Sequence, residues 1–203
     1  PGDGLDSLIA MNPAALITNV SDLKPSGILI VNEDSFTEKD LKLAKLEQNP
    51  LATDLIEPYR VIRIPMTSLT RGAVEALGLS TKEADRCRNF FAMGLVFWLY
   101  SRSLEPTQRF IEAKFGKKPE LAEANRRALQ AGWNYGETTE EFASTYQVDP
   151  AKLEPGTYRN IMGNQALSWG LLTASQQSGK PLFLGSYPCL LYTSDAADET
   201  VRG

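Results

Sequence analysis

The sequence predicts an α/β fold: the later part of a Rossmann-like domain with a helical extension, followed by the start of a second α/β domain. Short runs rich in Ile, Leu and Val end in polar residues and alternate with helical or mixed segments, which is typical of parallel βαβ units. A long helical stretch follows these runs. A segment with two prolines and little periodicity then separates it from a further helix and strand.

The predicted domain boundaries follow this pattern. Residues 1–146 form the first, partial domain, and residues 147–160 form a linker. Residues 161–188 begin the second domain, and residues 189–203 form a tail that belongs to no visible pattern. The first domain alone is long enough to enclose a sizeable hydrophobic core.

Three buried strands are predicted in the first domain, at 7–12, 27–34 and 59–67. A short helix from Pro13 separates the first two strands, and a charged helix over 37–46 lies between the second and the third. The polar residues that follow each strand should meet at one edge of a parallel sheet. Such edges are where open α/β sheets bind ligands.

Several helices are predicted after the third strand. The first begins at Ser80, which forms a capping box with Glu83, and it is apolar nearly all round, so we expect it to pack on both sides. Two more helices are predicted, one that begins at Pro106 and one over 119–131. Gly132 is predicted to end the second of them.

The remaining elements are predicted from caps and glycines. Thr138 and Glu141 form a second capping box, which predicts another helix start before the linker. Beyond the linker a helix should begin at Gly163 and stop at Gly179. A strand and its exit loop are then predicted over residues 180–188.

Charge and hydropathy narrow the classes of partner. The net charge of −4 gives no sign of a nucleic-acid or membrane surface. No apolar run reaches the ~18–20 residues that a membrane span needs. The chain begins at Pro1 without a visible signal peptide and enters a strand almost at once, which predicts a cytoplasmic fragment.

Cysteine and histidine content narrows the chemistry. The chain has two cysteines, Cys87 and Cys189, with no Cys-x-x-Cys pair, and it has no histidine. A zinc or iron–sulfur site built from this chain alone is therefore not expected, and a Ser-His-Asp or Cys-His nucleophile is excluded. Cys87 lies on the most apolar helix, which predicts a buried structural thiol.

The predicted ligand-binding residues follow the third strand. Thr67, Ser68, Thr70 and Arg71 offer hydroxyls and a guanidinium that could hold a phosphate or carboxylate of a substrate. The same residues could equally cap the helix that follows, and both alternatives remain open from the sequence.

Six stretches together resemble one family. They are, in chain order, GDGLDSLIAMNPAAL, PMTSLT, EADRCRNFFAMGLVFWLY, NRRALQAGWNYGETTE, LEPGTYRNIMGNQAL and LFLGSYP. The chain resembles the alpha subunits of bacterial 2-oxoacid:ferredoxin oxidoreductases, most like the 2-oxoglutarate type, in which a gamma-type domain is fused ahead of the alpha domain. The resemblance covers residues 2–188 and continues through the linker. It implies a gamma-type Rossmann-like domain followed by a thiamine pyrimidine-binding domain.

The resemblance also implies a reaction and its partners. In such enzymes a 2-oxoacid is decarboxylated on thiamine diphosphate, electrons pass through iron–sulfur clusters to ferredoxin, and the acyl group passes to coenzyme A. It implies a hetero-oligomer in which the partner beta subunit holds the diphosphate, its magnesium and a cluster. The fragment alone is expected to bind none of these cofactors and to be inactive.

Few site residues can be carried over from the family. Tyr187 and Pro188 match the start of its Tyr-Pro-Ile-Thr-Pro loop beside substrate and cofactor, so both are predicted to contact the cofactor. The Ile-Thr-Pro that should follow is absent, and Cys189 begins the sequence CLLYTSDAADE instead. These residues match one translated frame of a common sequencing adapter, so we expect 189–203 to be an artefact.

Two rival functions stay open from the sequence. One is a stand-alone gamma-type subunit that acts as an interaction scaffold; it should end before the linker and the helix at Gly163. The other is a Rossmann-type nucleotide-binding domain, against which the missing glycine fingerprint counts. The sequence does not fix the 2-oxoacid, the direction of the reaction, the oligomeric state or the coenzyme A contacts.

Overall fold

The computed structural model describes residues 4–142, 144–149 and 152–183. The chain divides into two compact units between residues 150 and 151, and each is described by itself. The strands of the first unit are β1 Leu5–Ala10, β2 Leu23–Asn32 and β3 Arg60–Ile64. Its helices are α1 Pro13–Asn19, α2 Glu38–Leu43, α3 Met66–Val74, α4 Thr81–Arg86, α5 Arg88–Leu99, α6 Glu105–Phe115 and α7 Pro119–Thr138. The second unit contains α8, Gly163–Ser178.

The three strands form a parallel sheet in the order β1-β2-β3, which confirms the predicted α/β class. Ile30 of β2 pairs with Ile9 of β1 and with Ile62 of β3. Strands β1 and β2 begin before their predicted starts, at Leu5 and Leu23, and all three strands end a few residues before their predicted ends. Their carboxyl ends meet at one edge, as expected for parallel strands.

The central strand is buried on both faces, which explains its unbroken apolar sequence. Ile28 and Ile30 belong to a core cluster with α5, to which that helix contributes Phe91, Leu95 and Leu99. Leu29 and Val31 face the opposite side of the sheet and pack in a second cluster with Leu16 of α1 and Phe36. Helices therefore cover both faces of the sheet.

Helix α7 does not end at Gly132, so this prediction was wrong. The helix continues to Thr138. Gly132 lies against the backbone of α5, where an added Cβ would collide with the carbonyl oxygen of Phe91. Gly94 on α5 faces α7 in the same way, against the carbonyl of Leu129. These glycines let the two helix backbones approach closely, and they do not mark a helix end.

The predicted helix from Ser80 forms as two helices, α4 and α5, which meet at a turn at Cys87. The capping box of Ser80 with Glu83 is confirmed. The second predicted capping box is wrong. Thr138 is the last residue of α7, and its hydroxyl donates to the carbonyl of Asn134. No helix follows within 139–142 or 144–149.

The second unit contains one described helix. Helix α8 ends before Gly179, which adopts a left-handed φ of +66°, as predicted. No residue of α8 is buried, and Leu167 and Leu172 are 64% and 53% exposed. Residues 180–183 are irregular, so this described part of the predicted strand is not a strand. Tyr187, Pro188 and the tail lie outside the described residues.

None of the helices in the described part of the chain is both long enough and apolar enough to span a membrane.

Candidate functional site

The edge formed by the carboxyl ends of the strands centres on the buried side chain of Asn32. Its amide nitrogen donates to the hydroxyl of Thr67 at 3.0 Å and to that of Ser35 at 2.9 Å. Its amide oxygen accepts from the backbone N–H of Thr67 at 3.3 Å. Asn32 is fully buried, so these bonds replace the water that its amide loses on folding. They tie the end of β2 to the start of α3.

The first turn of α3 is capped by a residue from a distant loop. The residue before the helix is Pro65, which makes no side-chain cap. Asp34 supplies the missing acceptor: its carboxylate accepts from the backbone N–H of Ser68 at 2.7 Å and from the Ser68 hydroxyl at 3.1 Å. A carboxylate at a helix N-terminus is also stabilised by the helix dipole. Asp34 therefore occupies the position that an anionic ligand of Ser68 would take.

Arg71 points to a carboxylate on the neighbouring helix. Its Nε and Nη2 donate to the two oxygens of Asp85 at 2.6 and 2.9 Å, a bidentate pair that joins α3 to α4. The hydrogen bonds from Arg71 lower the pKa of Asp85, and those to Asp85 raise the pKa of Arg71. The guanidinium is half exposed, so the pair is accessible to solvent and to salt.

Thr70 differs from the other predicted site residues. It is fully buried, and its hydroxyl donates to the carbonyl of Met66 one turn earlier in α3. This side chain has no exposed surface with which to contact a substrate, because it packs on the inner face of its helix. A role of Thr70 in substrate binding stays a prediction.

The structure therefore brings Thr67 and Ser68 together at the edge and turns Arg71 toward α4. All three make hydrogen bonds within the chain, but none of them caps α3, because the N-cap position is Pro65 and the acceptor for the Ser68 N–H comes from Asp34. Their role in ligand binding stays a prediction. Asn32 and Asp34 belong to the polar stretch after the second strand that was predicted to lie at this edge. Their bonds to Thr67 and Ser68 were not predicted, because the pairing of Asp34 with Ser68, 34 residues apart, leaves no local signal.

Cys87 is buried at the junction of α4 and α5, as predicted. Burial, and secondarily the nearby charge of Glu83, raises the pKa of its thiol, so the thiolate is disfavoured at neutral pH. Its sulfur lies 3.5 Å from the carbonyl of Glu83 and donates a weak hydrogen bond to it. These properties are those of an inert packing residue.

The side chains that could bind a metal do not cluster in the described ranges. These ranges contain no group of three or more His, Cys, Asp or Glu side chains that could hold a metal ion.

Comparison with known proteins identifies the family. Residues 1–135 match the family model described as pyruvate ferredoxin/flavodoxin oxidoreductase. The chain belongs to this family. The resemblance drawn from the sequence motifs is confirmed, and family membership favours an oxidoreductase over a Rossmann-type nucleotide-binding domain.

Two curated relatives refine the family assignment. The chain is 52% identical over 187 residues to the 2-oxoglutarate oxidoreductase subunit KorA of Mycobacterium tuberculosis, covering 92% of this chain and 29% of that protein. It is 23% identical over 218 residues to the alpha subunit of 2-oxoacid:ferredoxin oxidoreductase 1 of Aeropyrum pernix, covering 97% of this chain and 32% of that protein. The chain thus spans about a third or less of the length of the relatives it matches.

One solved structure is similar in fold to this chain. It is the 2-oxoglutarate:ferredoxin oxidoreductase from Magnetococcus marinus with 2-oxoglutarate, coenzyme A and succinyl-CoA bound. The TM-score is 0.52 and the sequence identity 20%, over 74% of this chain and 23% of that one. At this identity the likeness supports the α/β fold.

Proposed function

We propose that this chain is part of the alpha subunit of a thiamine diphosphate-dependent 2-oxoacid:ferredoxin oxidoreductase. The reaction is oxidative decarboxylation of 2-oxoglutarate to an acyl-CoA, with the electrons passed to ferredoxin. The observation that carries this proposal is the 52% identity to a 2-oxoglutarate oxidoreductase subunit over 187 residues. That match extends well beyond the 135 residues of the family model, so it includes sequence on both sides of the predicted linker.

The cofactors are those that the family resemblance implies. Thiamine diphosphate supplies the carbanion chemistry of the decarboxylation, and the protein supplies its placement. From the family resemblance we assign magnesium and the iron–sulfur clusters to a partner beta subunit in a hetero-oligomer. Coenzyme A as co-substrate is supported by the Magnetococcus marinus enzyme, whose structure has it bound. The predicted cytoplasmic location stays a prediction.

The residues of this chain that we propose at the site fall into two groups. Tyr187 and Pro188 would contact the thiamine cofactor, on the family motif alone. Thr67, Ser68, Thr70 and Arg71 would contact an anionic group of substrate, but Ser68 and Arg71 could do so only by exchanging partners. Ser68 would have to release Asp34, and Arg71 would have to release Asp85.

The rival within the family is a gamma-type scaffold subunit without a catalytic role. Such a subunit should end before the linker, whereas this chain continues into α8. The catalytic hypothesis and the scaffold hypothesis predict different behaviour of the complete gene product when it is combined with its beta subunit.

The test is reconstitution of the complete alpha subunit with its beta subunit. We expect ferredoxin reduction that requires both subunits, coenzyme A and 2-oxoglutarate, with lower kcat/KM for pyruvate. Equal rates with and without this subunit would overturn the catalytic assignment in favour of the scaffold. A higher kcat/KM for pyruvate or a branched-chain 2-oxoacid would overturn the substrate and leave the reaction class in place.

A further inference from the structure

A cleft of about 420 Å³ lies where the end of α5 meets α7 in the first unit. It is lined by Trp98, Ser101, Arg102, Ser103, Trp133 and Thr145. The cleft is shallow and open, so a ligand there would lie against the side chains of its floor and keep one side in solvent. Two indoles, a guanidinium and several hydroxyls are the groups that together recognise an aromatic ring carrying an anion.

The tryptophans supply aromatic surface. Trp98 and Trp133 are both half-buried, so part of each indole lines the cleft. Trp98 is held from behind: its ring makes an edge contact with Phe142, with centroids 5.5 Å apart, and a Cβ at Gly136 would overlap it. A ring fixed in this way loses little side-chain entropy when a planar ligand stacks on it.

Arg102 supplies the charge. It is exposed, and its guanidinium makes no ion pair with any acidic residue in the described ranges. Its backbone is fixed, because its N–H donates to the carbonyl of Phe97 at 2.7 Å and the preceding Ser101 adopts a left-handed φ of 51°. A guanidinium on a fixed loop, with no acidic partner among the described residues, can bind a phosphate with two parallel hydrogen bonds.

Two other clefts of this unit lack this combination. The cleft along α4 is lined by Lys82, Arg86 and Arg88 but by no aromatic side chain. The cleft beside Tyr100 and Tyr146 has rings, but its lysine, Lys24, is paired with Asp6 at 2.8 Å.

We propose that the cleft between Trp98 and Trp133 binds a molecule in which a planar aromatic ring is joined to a phosphate, such as a nucleoside monophosphate. The ring stacks on indole surface, and the phosphate pairs with Arg102 and accepts from a serine hydroxyl. This proposal does not depend on the enzymatic function proposed above.

The test is calorimetric titration of the full chain with AMP as probe, and with adenosine and inorganic phosphate separately. AMP should bind at least about tenfold more tightly than either part, because only AMP engages both the rings and the guanidinium. The absence of a binding heat for AMP, or equal affinities for AMP and phosphate, would overturn the proposal.

Two pairs of variants locate the binding. Arg102→Gln should weaken AMP binding about tenfold or more, whereas Arg109→Gln, an exposed arginine on α6 outside the cleft, should leave it unchanged. Trp133→Leu should also weaken AMP, and Trp169→Leu in the second unit should not. If the fold of Trp133→Leu is perturbed, Arg102→Gln decides alone, since that side chain is exposed. Equal AMP affinity in Arg102→Gln and Arg109→Gln would overturn the proposed site.

Discussion

Helices α7 and α8 both carry several glycines and alanines, yet the two helices have different surroundings. On α7, Gly132 lies against the backbone of α5, and no side chain larger than hydrogen fits there. On α8, Gly163 and Gly170 have no heavy atom within 4 Å of an added Cβ. The same residue type therefore serves close packing in the first unit and only lowers helix propensity in the second. Composition alone does not distinguish these two cases.

The largest expected effect comes from the same substitution made in both helices. Gly132→Ala should lower the free energy of unfolding of the first unit by about 3 kcal/mol, because the new methyl overlaps the Phe91 carbonyl and forces α5 and α7 apart. Gly170→Ala is the matched control; it should increase helicity, since Ala is favoured over Gly by up to about 1 kcal/mol. Urea unfolding followed by circular dichroism measures both. Equal effects of the two substitutions would remove the distinction between the helices.

The sequence predicted those parts of the fold that depend on local patterns. The parallel sheet, the capping box at Ser80 and the stop of α8 at Gly179 were all visible in residue periodicity and caps. The end of α7 could not be predicted in this way, because Gly132 has the appearance of a helix C-cap until its contact with α5 is known. That contact joins residues about 40 positions apart, beyond any local pattern.

The candidate site was predicted only in part for a similar reason. The sequence placed Thr67, Ser68 and Arg71 at the edge of the sheet, but it did not reveal that Asp34 and Asp85 occupy two of them. Nor did it show that Thr70 faces inward, since a short helix leaves its buried face undetermined until its neighbours are known. Tertiary partners decided each of these outcomes.

An intermediate effect is expected at the start of α3. Asp34→Ala should destabilise the first unit by about 1 kcal/mol, because the backbone N–H of Ser68 loses its acceptor. Asp34→Asn keeps an oxygen that can accept this hydrogen bond, so it should recover part of the loss. At the start of α8, the N-cap residue Met162 makes no side-chain hydrogen bond within the described part of the chain. An unchanged urea midpoint for Asp34→Ala would show that the distant cap contributes nothing.

The smallest effect is expected at the Arg71–Asp85 pair, and it should depend on pH. The pKa of Asp85 is held below its ordinary value of 3.8, so the folded state gains stability from the charged carboxylate above that pH. The gain is lost as pH falls through the lower folded pKa. Because the pair is partly exposed, Asp85→Asn should cost at most about 1 kcal/mol at pH 7.

Urea unfolding across pH distinguishes this effect from simple packing. The difference between the native chain and Asp85→Asn should shrink below pH 3.8 and should weaken in high salt. Arg71→Gln should cost a similar amount at pH 7. A difference that stays constant from pH 7 to acid would indicate that the charge of Asp85 is not what joins α3 to α4.

Hydrogen exchange on the 203-residue chain tests the central contrast most directly. Amides around Leu129 and Gly132 of α7 should exchange slowly, near the rate set by global unfolding of the first unit, because α5 covers them. Amides around Leu167 and Leu171 of α8 should exchange within a few orders of magnitude of an unstructured peptide, since an uncovered helix of this length is marginal in water. Equally strong protection of both helices would contradict the account.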